Sequence, residues 1–576
     1  MKKGLLVLSS LAILGLISCS GQSSRNNTGG TAQGISTIAI SEISDPVNTG
    51  DFSCIASNGG AFLNDGSVYT ITKGGTYTLN GYLNGQIIVN AGGSDNVEIV
   101  LVNATIENSE DSPIKVNTGN KIEIKAKADS ANLIKDNRAV KTSESTTLGE
   151  GAISSKVDLT LAGQGTLIVR SSYNNAVHSS KDAFIKNLTL QAEGVNNAIK
   201  GKDSVTIESG FINAYSSAGQ GLKTDNSDIS SSGNQRGTIS IYGGTINIDS
   251  LYDAIDASYD VLIDQTDTST STVVNIFTGK NSSYSSSYVS SNSAKGIKST
   301  NKITMNAGTV TVAASDDGVH ANYGTTLQNG SKGEGNINIA GGNLNIASGD
   351  DGLHADNTIN ITGGKIEVTN ATEGMESNHI KVSGGQTFIY GTDDGLNASY
   401  KINEVPSIDI SGGFLDVAVN GGDVDGIDSN GTFTQSGGTV VSRGSSGSGS
   451  NMSTALDCDG NATISGGTFI AFNGMEKALT KSGDVMFAGT TNPGSGGQGP
   501  GGGGGGPHFE LMFASYSTGT FVLSGGDLLV NFSNNYEYSS FMVYSEFLKQ
   551  GTAYTLSKDS STIHSWTQGS GDTTIS

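Results

Sequence analysis

The sequence predicts an all-β protein in which repeats of about 22 residues stack as a three-sheet parallel β-helix. Three observations lead to this prediction. A four-residue phrase (small, aliphatic, polar, small) recurs at steps near 22 residues, most repeats continue with alternating apolar residues around a Gly pair, and helical periodicity is absent. A repeat of this length has room for three short strands and their turns but not for a crossover helix, so each repeat is expected to form one coil.

The recurring phrase sets the expected register of the coils. It is clearest between residues 295 and 460, as in Gly318-Val319-His320-Ala321. Aligned on the aliphatic residue, the series is Ile153, Val177, Ile199, Leu222, Ile255, Ile297, Val319, Leu353, Met375, Leu396, Ile427, Leu456 and Leu479. Because side chains alternate in direction along a strand, the aliphatic residue is expected to face inward and the polar residue after it outward.

Composition limits the classes of partner. The 576 residues include 82 Gly, with 54 acidic and 32 basic side chains and a formal charge of −22. This acidic balance argues against nucleic acid and anionic membrane surfaces, both of which attract basic proteins. The hydrophobic content of 35% suits a slender solenoid with a narrow interior. We expect a monomer.

The chain start predicts export. Residues 1–19 combine a basic start, an apolar run and Leu16-Ile17-Ser18-Cys19, which resembles the bacterial lipobox. This predicts a lipoprotein signal peptide, lipidation of Cys19 and anchoring at the bacterial cell envelope, at the surface or outer membrane; an ordinary signal peptide is the alternative. The mature chain then predicts a flexible tether at 20–50, an N-terminal cap with the first coils at 51–150, regular coils at 151–490, a Gly-rich linker at 491–507 and a C-terminal β cap or module at 508–576.

Stacking turns equivalent sequence positions into rows of side chains, and one such row is acidic. Its predicted members, two positions before the aliphatic residue, are Asp317, Asp351, Glu373, Asp394 and Asp425, with Asp316, Asp350, Asp393 and Asp423 beside them and Asp428 in the outward column. Like charges at the strand spacing of about 4.8 Å repel by roughly 1–3 kcal/mol per pair. Carboxylate oxygens at turns suit Ca²⁺, so the row predicts a calcium site. The alternative is that Asp-Asp-Gly is turn chemistry on a solvated face.

The outward column predicts a binding face. Its candidate carbohydrate-binding residues are Lys200, Lys223, Lys298, His320, His354 and Asn397. A long, flat, polar face next to bound cations suits an extended anionic chain, and we therefore expect an acidic polysaccharide as the partner.

Several stretches carry a family resemblance. They are Gly85-Gln86-Ile87-Ile88-Val89, residues 198–205 (Ala-Ile-Lys-Gly-Lys-Asp-Ser-Val), the repeated Asp-Asp-Gly-[Leu/Val]-[His/Asn]-Ala, and residues 547–556 with the Gly-rich stretch before them. With these, the chain resembles the bacterial carbohydrate-binding β-helix family first typified in cellulolytic clostridia, whose members bind calcium and acidic pectic polysaccharide such as polygalacturonate. The resemblance implies a right-handed β-helix, calcium as cofactor, and binding without established turnover.

Three classes of function follow from these observations. The first is calcium-dependent binding of acidic polysaccharide by a protein that is not an enzyme. The second is a lyase of pectate-lyase type, with Lys298 as the candidate base, or a hydrolase that uses paired carboxylates; Arg443 is the one Arg within the acidic region, and no compact Asp-Asp-Lys-Arg cluster is evident. The third is an adhesin or structural surface protein.

Overall fold

The computed structural model describes residues 42–143, 145, 147–266, 271–279, 293–422, 424–445, 453–476, 479–489, 516–538 and 540–575. The predicted signal peptide with Cys19, most of the predicted tether, the Gly-rich linker and Asp423 lie outside these residues. Every named regular element in the described residues is a β-strand, so the predicted all-β class is confirmed. A helix with the length and apolar character of a membrane span was sought in these residues, and there is none.

The N-terminal strands combine antiparallel and parallel pairing. They are β1 (Ser53–Ser57), β2 (Phe62–Asp65), β3 (Val68–Ile71), β4 (Gly75–Asn84), β5 (Gln86–Asn90), β6 (Val97–Asn108), β7 (Ile114–Thr118), β8 (Ile122–Ala126) and β9 (Ala131–Asp136). The pairs β1–β4 and β2–β3 are antiparallel, whereas β3–β5 and β4–β6 are parallel. Irregular pairing of this kind is common at the end of a stack, where a terminal repeat must cover the exposed edge.

The following strands form the repeats. The first group is β10 (Gly151–Ser155), β11 (Leu159–Gly163), β12 (Thr166–Ser171), β13 (Asn175–Ser179), β14 (Asp182–Lys186), β15 (Leu188–Gly194), β16 (Ile199–Gly201), β17 (Ser204–Ile207), β18 (Gly210–Ser216), β19 (Leu222–Lys223), β20 (Thr238–Ile241), β21 (Gly244–Ser250), β22 (Ile255–Ala257), β23 (Asp260–Ile263) and β24 (Thr272–Thr278). Each of these strands pairs in parallel with the strand three places further along the chain, as β10 does with β13.

The second group of repeat strands carries the acidic residues. It is β25 (Ile297–Ser299), β26 (Lys302–Met305), β27 (Thr309–Ala314), β28 (Val319–Ala321), β29 (Tyr323–Thr326), β30 (Lys332–Glu334), β31 (Asn336–Ile339), β32 (Asn343–Ser348), β33 (Leu353–Ile361), β34 (Lys365–Asn370), β35 (Met375–Gly391), β36 (Leu396–Ala398), β37 (Ser407–Val419), β38 (Ile427–Ser429), β39 (Thr432–Gln435), β40 (Thr439–Arg443), β41 (Ala462–Ile464), β42 (Thr468–Phe472), β43 (Thr480–Lys481) and β44 (Met486–Gly489). In the described chain, 44 strands join into one sheet that is mostly parallel.

The predicted alignment of the aliphatic residues is found from Ile153 to Ile427. Each member of the series in that range lies directly opposite the next. Beyond Leu456 the prediction is wrong: the Glu476 amide donates to the Leu456 carbonyl (3.1 Å), so the buried Met475 takes the position expected for Leu479.

The inward face explains why the phrase begins with a small residue. The aliphatic series from Ile153 to Ile427 is at most 2% exposed and forms one continuous hydrophobic core. A Cβ atom on Gly374 or Gly395 would lie only 2.0 or 2.1 Å from the side chain of Ile389 or Val417. Glycine at these positions therefore lets the neighbouring strands of one repeat approach each other.

A C-terminal sheet packs on the last repeats. Its strands are β45 (Gly519–Gly525), β46 (Leu528–Asn534), β48 (Ala553–Lys558) and β49 (Ser561–Thr567), while β47 (Phe541–Ser545) and β50 (Thr573–Thr574) join the large sheet. A second hydrophobic core forms around Phe472. Arg443, 1% exposed, crosses this junction by donating to Asn534 Oδ1 (2.8 Å) and to the Ser533 carbonyl (3.0 Å).

Candidate functional site

The polar residue after each aliphatic residue lies in a continuous outward column. The strand register places its members opposite one another in this order: Ser154, His178, Lys200, Lys223, Asp256, Lys298, His320, His354, Glu376, Asn397 and Asp428. All six predicted carbohydrate-binding residues belong to this outward column. The structure thus brings residues that are far apart in the chain into one line.

The predicted acidic row lies beside the outward column and is held by the backbone. The Gly296 amide donates to the Asp317 carbonyl (2.9 Å), and the same bond links each following repeat to the next. The row contains Asp317, Asp351, Glu373, Asp394 and Asp425, in that order. The five acids are therefore neighbours in space, although what surrounds them differs along the row.

The first part of the row is neutralised by side chains of the protein. Lys295 Nζ lies 2.5 Å from Asp317 Oδ2 and 2.9 Å from Asp316 Oδ1. His320 Nδ1 is 2.6 Å from Asp317 Oδ2. Burial alone raises the pKa of Asp317, but the hydrogen bond from His320 and the charge of Lys295 outweigh it, so this pKa lies well below its usual value.

Two stacked imidazoles continue this neutralised part. The rings of His320 and His354 are 4.5 Å apart and nearly parallel. His354 Nδ1 lies 2.7 Å from Asp351 Oδ2 and 3.0 Å from Glu376 Oε2. Burial lowers the pKa of His354, but its bonds to Asp351, Asp356 and Glu376 raise it to about 12. Burial lowers the pKa of His320, the hydrogen bond with Asp317 opposes this shift, and the charge of His354 adds to it.

The Glu376 carboxylate completes what we name the paired segment. Lys401 Nζ lies 2.5 Å from Glu376 Oε1. Burial raises the pKa of Glu376, but the bonds from His354 and Lys401 lower it to about 2. The paired segment consists of Lys295, Asp316, Asp317, His320, Asp351, His354, Glu376 and Lys401. Each of its buried acids has a cationic or imidazole partner within hydrogen-bonding distance.

The last part of the row differs, and we name it the carboxylate segment: Asp394, Asp425, Asp428 and Asp457. Asp394 Oδ1 accepts the Asp425 amide (2.7 Å), and Asp425 accepts the Thr454 amide and hydroxyl at 2.5 and 2.9 Å. In the described part of the chain, Asp425, Asp428 and Asp457 form no ion pair with Lys, Arg or His. Burial, followed by the charges of other carboxylates, raises the pKa of Asp425 to about 7 and that of Asp428 to about 8.

Glu373 stands between the two segments. Its Oε1 accepts the Asn397 amide (2.7 Å), while Glu373 Oε2 and Asn397 Oδ1 are buried without a hydrogen-bond partner in the described residues. Burial, then the charges of Asp351 and Glu376, raises the pKa of Glu373 to about 9. Glu373 is therefore protonated at neutral pH and adds no charge to the row.

The donor chemistry of the two segments decides where a cation fits. Three groups have ligand atoms within 4.8 Å of one another in the described residues, and all lie in the paired segment or at its edge: Asp317, His320 and His354; Asp351, His354 and Glu376; Asp316, Asp317 and Asp350. There the Lys295 ammonium and the His354 imidazolium already occupy cation positions. The carboxylate segment offers only hard oxygen ligands, the kind that Ca²⁺ prefers, but none of the three groups whose ligand atoms come that close includes its described acids. Asp350 and Asp393 are exposed at the adjoining turns.

The lysines of the outward column also form ion pairs, which the residue pattern had not led us to predict. Lys200 pairs with Asp225, and Lys223 pairs with Asp256. Lys298 Nζ lies 3.2 Å from Asp253, whose side chain is 1% exposed. The alignment contained a signal for two of these acids, since Asp256 follows Ile255 in the outward column and Asp253 precedes it in the row.

The residues weighed for catalysis are engaged in the same way. Lys298, the candidate lyase base, is held by Asp253, and Arg443 is buried at the junction with the C-terminal sheet. Arg443 also pairs with Asp416. Neither cation is presented to a ligand on the outward column as an unpaired base.

Comparison with known proteins gives three findings. A family model described as "Carbohydrate-binding domain-containing protein" matches residues 65–332 and 324–491. A protein of Acetivibrio thermocellus described in the same words is 30% identical over 195 residues, which are 33% of this chain and 65% of the relative; the chain thus spans just under two thirds of that relative. A solved structure, described as the polysaccharide lyase-like protein from C. thermocellum in a gadolinium derivative, is 29% identical, covers 38% of this chain and 84% of its own, and has a TM-score of 0.34.

Proposed function

The chain belongs to the carbohydrate-binding domain-containing protein family, and from this premise we propose that it binds acidic polysaccharide of the pectic or polyuronate type in a calcium-dependent manner. The binding surface is the outward column with the acidic row beside it. In this proposal the repeats wind as a right-handed three-sheet parallel β-helix of about 22 residues per coil, whose straight, flat side matches an extended polymer.

The observation that carries the proposal is the carboxylate segment. Its acids raise one another's pKa, and three of them have no ion-pair partner in the described residues. Asp394, Asp425, Asp428 and Asp457 would hold Ca²⁺, which supplies positive charge shared by protein and sugar carboxylates. A chain with a formal charge of −22 repels a polyanion unless such charge is present.

The rest of the outward column serves to hold the polymer. The side chains of Lys200, Lys223 and Lys298 are 21–25% exposed, so their ammonium groups still reach the surface while ion pairs fix their positions. Side chains that are already ordered lose little conformational entropy when they bind a ligand. We expect them to donate hydrogen bonds to sugar hydroxyls and carboxylates.

Retention on polygalacturonate tests the proposal. In gels containing this polymer, the full chain should be retarded with calcium and should run freely with EDTA. The double variant Asp425→Asn/Asp428→Asn should lose retardation and weaken calorimetric calcium binding about tenfold or more, because two carboxylate ligands are replaced by neutral amides. Asp129→Asn, an exposed acid far along the chain from the acidic row, is the matched control.

Other outcomes of this experiment point elsewhere. Retardation that persists in EDTA, or calcium affinity unchanged in the double variant, contradicts the proposed site. Failure to bind under both conditions favours an adhesin or structural role. Unsaturated product, followed by its ultraviolet absorbance, would make the protein a lyase, and Lys298→Met should then abolish it.

The location of the protein is a further part of the proposal. Export, lipidation of Cys19 and anchoring at the bacterial cell envelope are supported by the lipobox-like sequence alone. Cys19→Ser should release the protein from the membrane fraction of expressing cells. Light scattering on the soluble chain should report a monomer.

A further inference from the structure

One position of the repeat is rich in tyrosine. Four positions after the aliphatic residue, beyond the outward polar residue and the small residue that closes the phrase, stand Tyr259, Tyr323 and Tyr400. Three of the eleven repeats from Ile153 to Ile427 therefore have tyrosine here, whereas tyrosine accounts for only 18 of the 576 residues. Because equivalent positions of stacked repeats lie on the same side of a solenoid, this enrichment indicates one location, at the edge of the outward column.

Two of these side chains are exposed to solvent. Tyr400 is 62% exposed and Tyr323 is 47% exposed, whereas Tyr259 is half-buried. In the described residues, the hydroxyls of Tyr323 and Tyr400 form no hydrogen bond, and neither ring packs on another aromatic ring. The rings of Tyr323 and Tyr400 are thus available to a ligand.

Hydrogen bonds place Tyr323 beside the outward column. The Tyr323 amide donates to Asp356 Oδ2 (2.8 Å), and Asp356 Oδ1 lies 3.4 Å from Nε2 of His354, a member of the column. The residue before Tyr323 is Asn322, whose Nδ2 lies 2.9 Å from His320 Nε2. Tyr323 is therefore held next to two successive members of the outward column, His320 and His354.

Tyr400 is flanked in the same way at a later repeat. Ser399 Oγ donates to Glu376 Oε1 (3.0 Å), and Lys401 Nζ lies 2.5 Å from the same oxygen. Glu376 belongs to the outward column, so both chain neighbours of Tyr400 are anchored to it. Three steps of the repeat separate Tyr400 from Tyr323, which is about 14 Å at the strand spacing of about 4.8 Å. A ligand that contacts both rings must therefore be extended along the outward column.

The chemistry of these positions selects a sugar ring as the ligand. A tyrosine side chain has a flat apolar face and a polar edge. A pyranose ring likewise has a face of C–H groups and a rim of hydroxyls, so the two faces can pack together while the hydroxyls stay hydrated. An apolar protein or lipid partner would require a contiguous apolar patch, but the chain neighbours Asn322, Ser399 and Lys401 are polar.

We propose that Tyr323 and Tyr400 stack on pyranose rings of the polysaccharide that lies along the outward column. The inference rests on the proposed function for its polymer, but it adds a contact of a different kind. The carboxylate segment attracts sugar carboxylates through a metal ion, whereas the two tyrosines bind the uncharged C–H faces of the sugars. The tyrosines thereby fix the direction of the polymer, which runs across successive repeats.

Calorimetry with hexagalacturonate on the full chain in calcium tests this inference, together with retardation in polygalacturonate gels. Tyr323→Ala and Tyr400→Ala should each weaken binding about three- to tenfold, because one aromatic stack is lost, and the double Ala variant should bind more weakly than either. The double Phe variant should retain the wild-type affinity, because both rings remain. Tyr82→Ala is the matched control: Tyr82 is 42% exposed and lies on β4, which pairs with β6 and with no strand of the outward column.

Calcium binding in the absence of sugar separates this inference from the proposed calcium site. The tyrosine variants should bind calcium as tightly as the wild type, since no carboxylate is altered. Wild-type affinity in the double Ala variant would overturn the inference and leave the proposed function intact. Equal loss of affinity in the double Phe variant would also overturn it, because the hydroxyls and not the rings would then bind the sugar. A wild type that binds neither hexagalacturonate nor the gel would contradict the proposed function, and this inference with it.

Discussion

The paired segment and the carboxylate segment occupy equivalent positions in successive repeats. The acids of the first have cationic or imidazole partners, whereas three of the acids of the second have no ion-pair partner in the described residues. In the paired segment, Lys295 and His354 lie against the buried acids and lower the pKa of Asp317 and Glu376, whereas burial and the charge of Asp317 still raise the pKa of Asp351 to about 7. In the carboxylate segment, the pKa values of Asp425 and Asp428 are raised. Position in a column therefore does not determine the protonation of an acid, since the neighbouring residues decide whether its charge is balanced.

This difference also indicates which acids stabilise the fold and which are available to a metal ion. A buried acid with a fixed cationic partner stabilises the fold and has little affinity left for a metal ion. Acids that repel each other store unfavourable energy, and a bound cation releases it. The calcium proposal therefore belongs to one end of the row only, which the sequence pattern treats as uniform.

Removal of Lys295 should give the largest effect. Lys295→Met leaves Asp316 and Asp317 without their ammonium partner, and loss of one member of a buried pair costs about 3–5 kcal/mol. The expected result is a clearly lower midpoint in urea unfolding. Lys365→Met is the matched control, because the Lys365–Glu367 pair is more exposed and is worth at most about 1 kcal/mol. Equal shifts in the two variants would contradict the distinction.

Removal of an acid from the carboxylate segment should stabilise the protein, whereas removal of Lys295 should destabilise it. Asp428→Asn relieves like-charge repulsion and should stabilise the metal-free protein by about 1–3 kcal/mol near pH 8. Urea unfolding in EDTA measures this change, with Asp129→Asn as the control. With calcium present, the variant should gain less stability than the wild type. Destabilisation in EDTA would show that the charge of Asp428 is balanced after all.

The stability difference between the wild type and the carboxylate-segment variant should also depend on pH, although this effect is smaller. The folded-state pKa values of Asp425 and Asp428, about 7 and about 8, lie above the ordinary value of 3.8. Between pH 3.8 and these folded-state pKa values, the folded state binds more protons than the unfolded state. Both groups therefore make the stability of the protein fall as pH rises. The melting temperature gap in EDTA between Asp425→Asn/Asp428→Asn and the wild type should therefore be wider at about pH 8.5 than at about pH 5. A gap that does not change with pH would refute the assignment.

The boundary residue should show the smallest effect. Glu373, with its pKa raised to about 9, is already neutral at pH 7. Glu373→Gln should change stability by less than about 0.5 kcal/mol and leave calcium affinity unaltered, since no charge is lost. Calorimetry and urea unfolding at pH 7 check both. A tenfold loss of calcium affinity would instead extend the carboxylate segment to Glu373.

The row and the outward column were accessible to sequence reasoning because their positions repeat. The alignment placed His320 beside His354 and Asp394 beside Asp425. It also contained Lys295, which stands two positions before Ile297, where the next repeat has Asp317. Extending the row one repeat backwards would have revealed a cation next to the acids. Lys401 gave no such signal, because it lies in a connection after the repeated phrase.

The all-β class, the inward aliphatic series and the order of residues along both columns could be predicted from the residues alone, because strand alternation and a repeated glycine make these features local. Which acids are balanced depends on the three-dimensional contacts, since Lys401 reaches Glu376 from a connection that does not follow the repeat. Such contacts join segments of the chain that are not equivalent in the repeat. Their energies depend on burial, which a sequence alignment does not show.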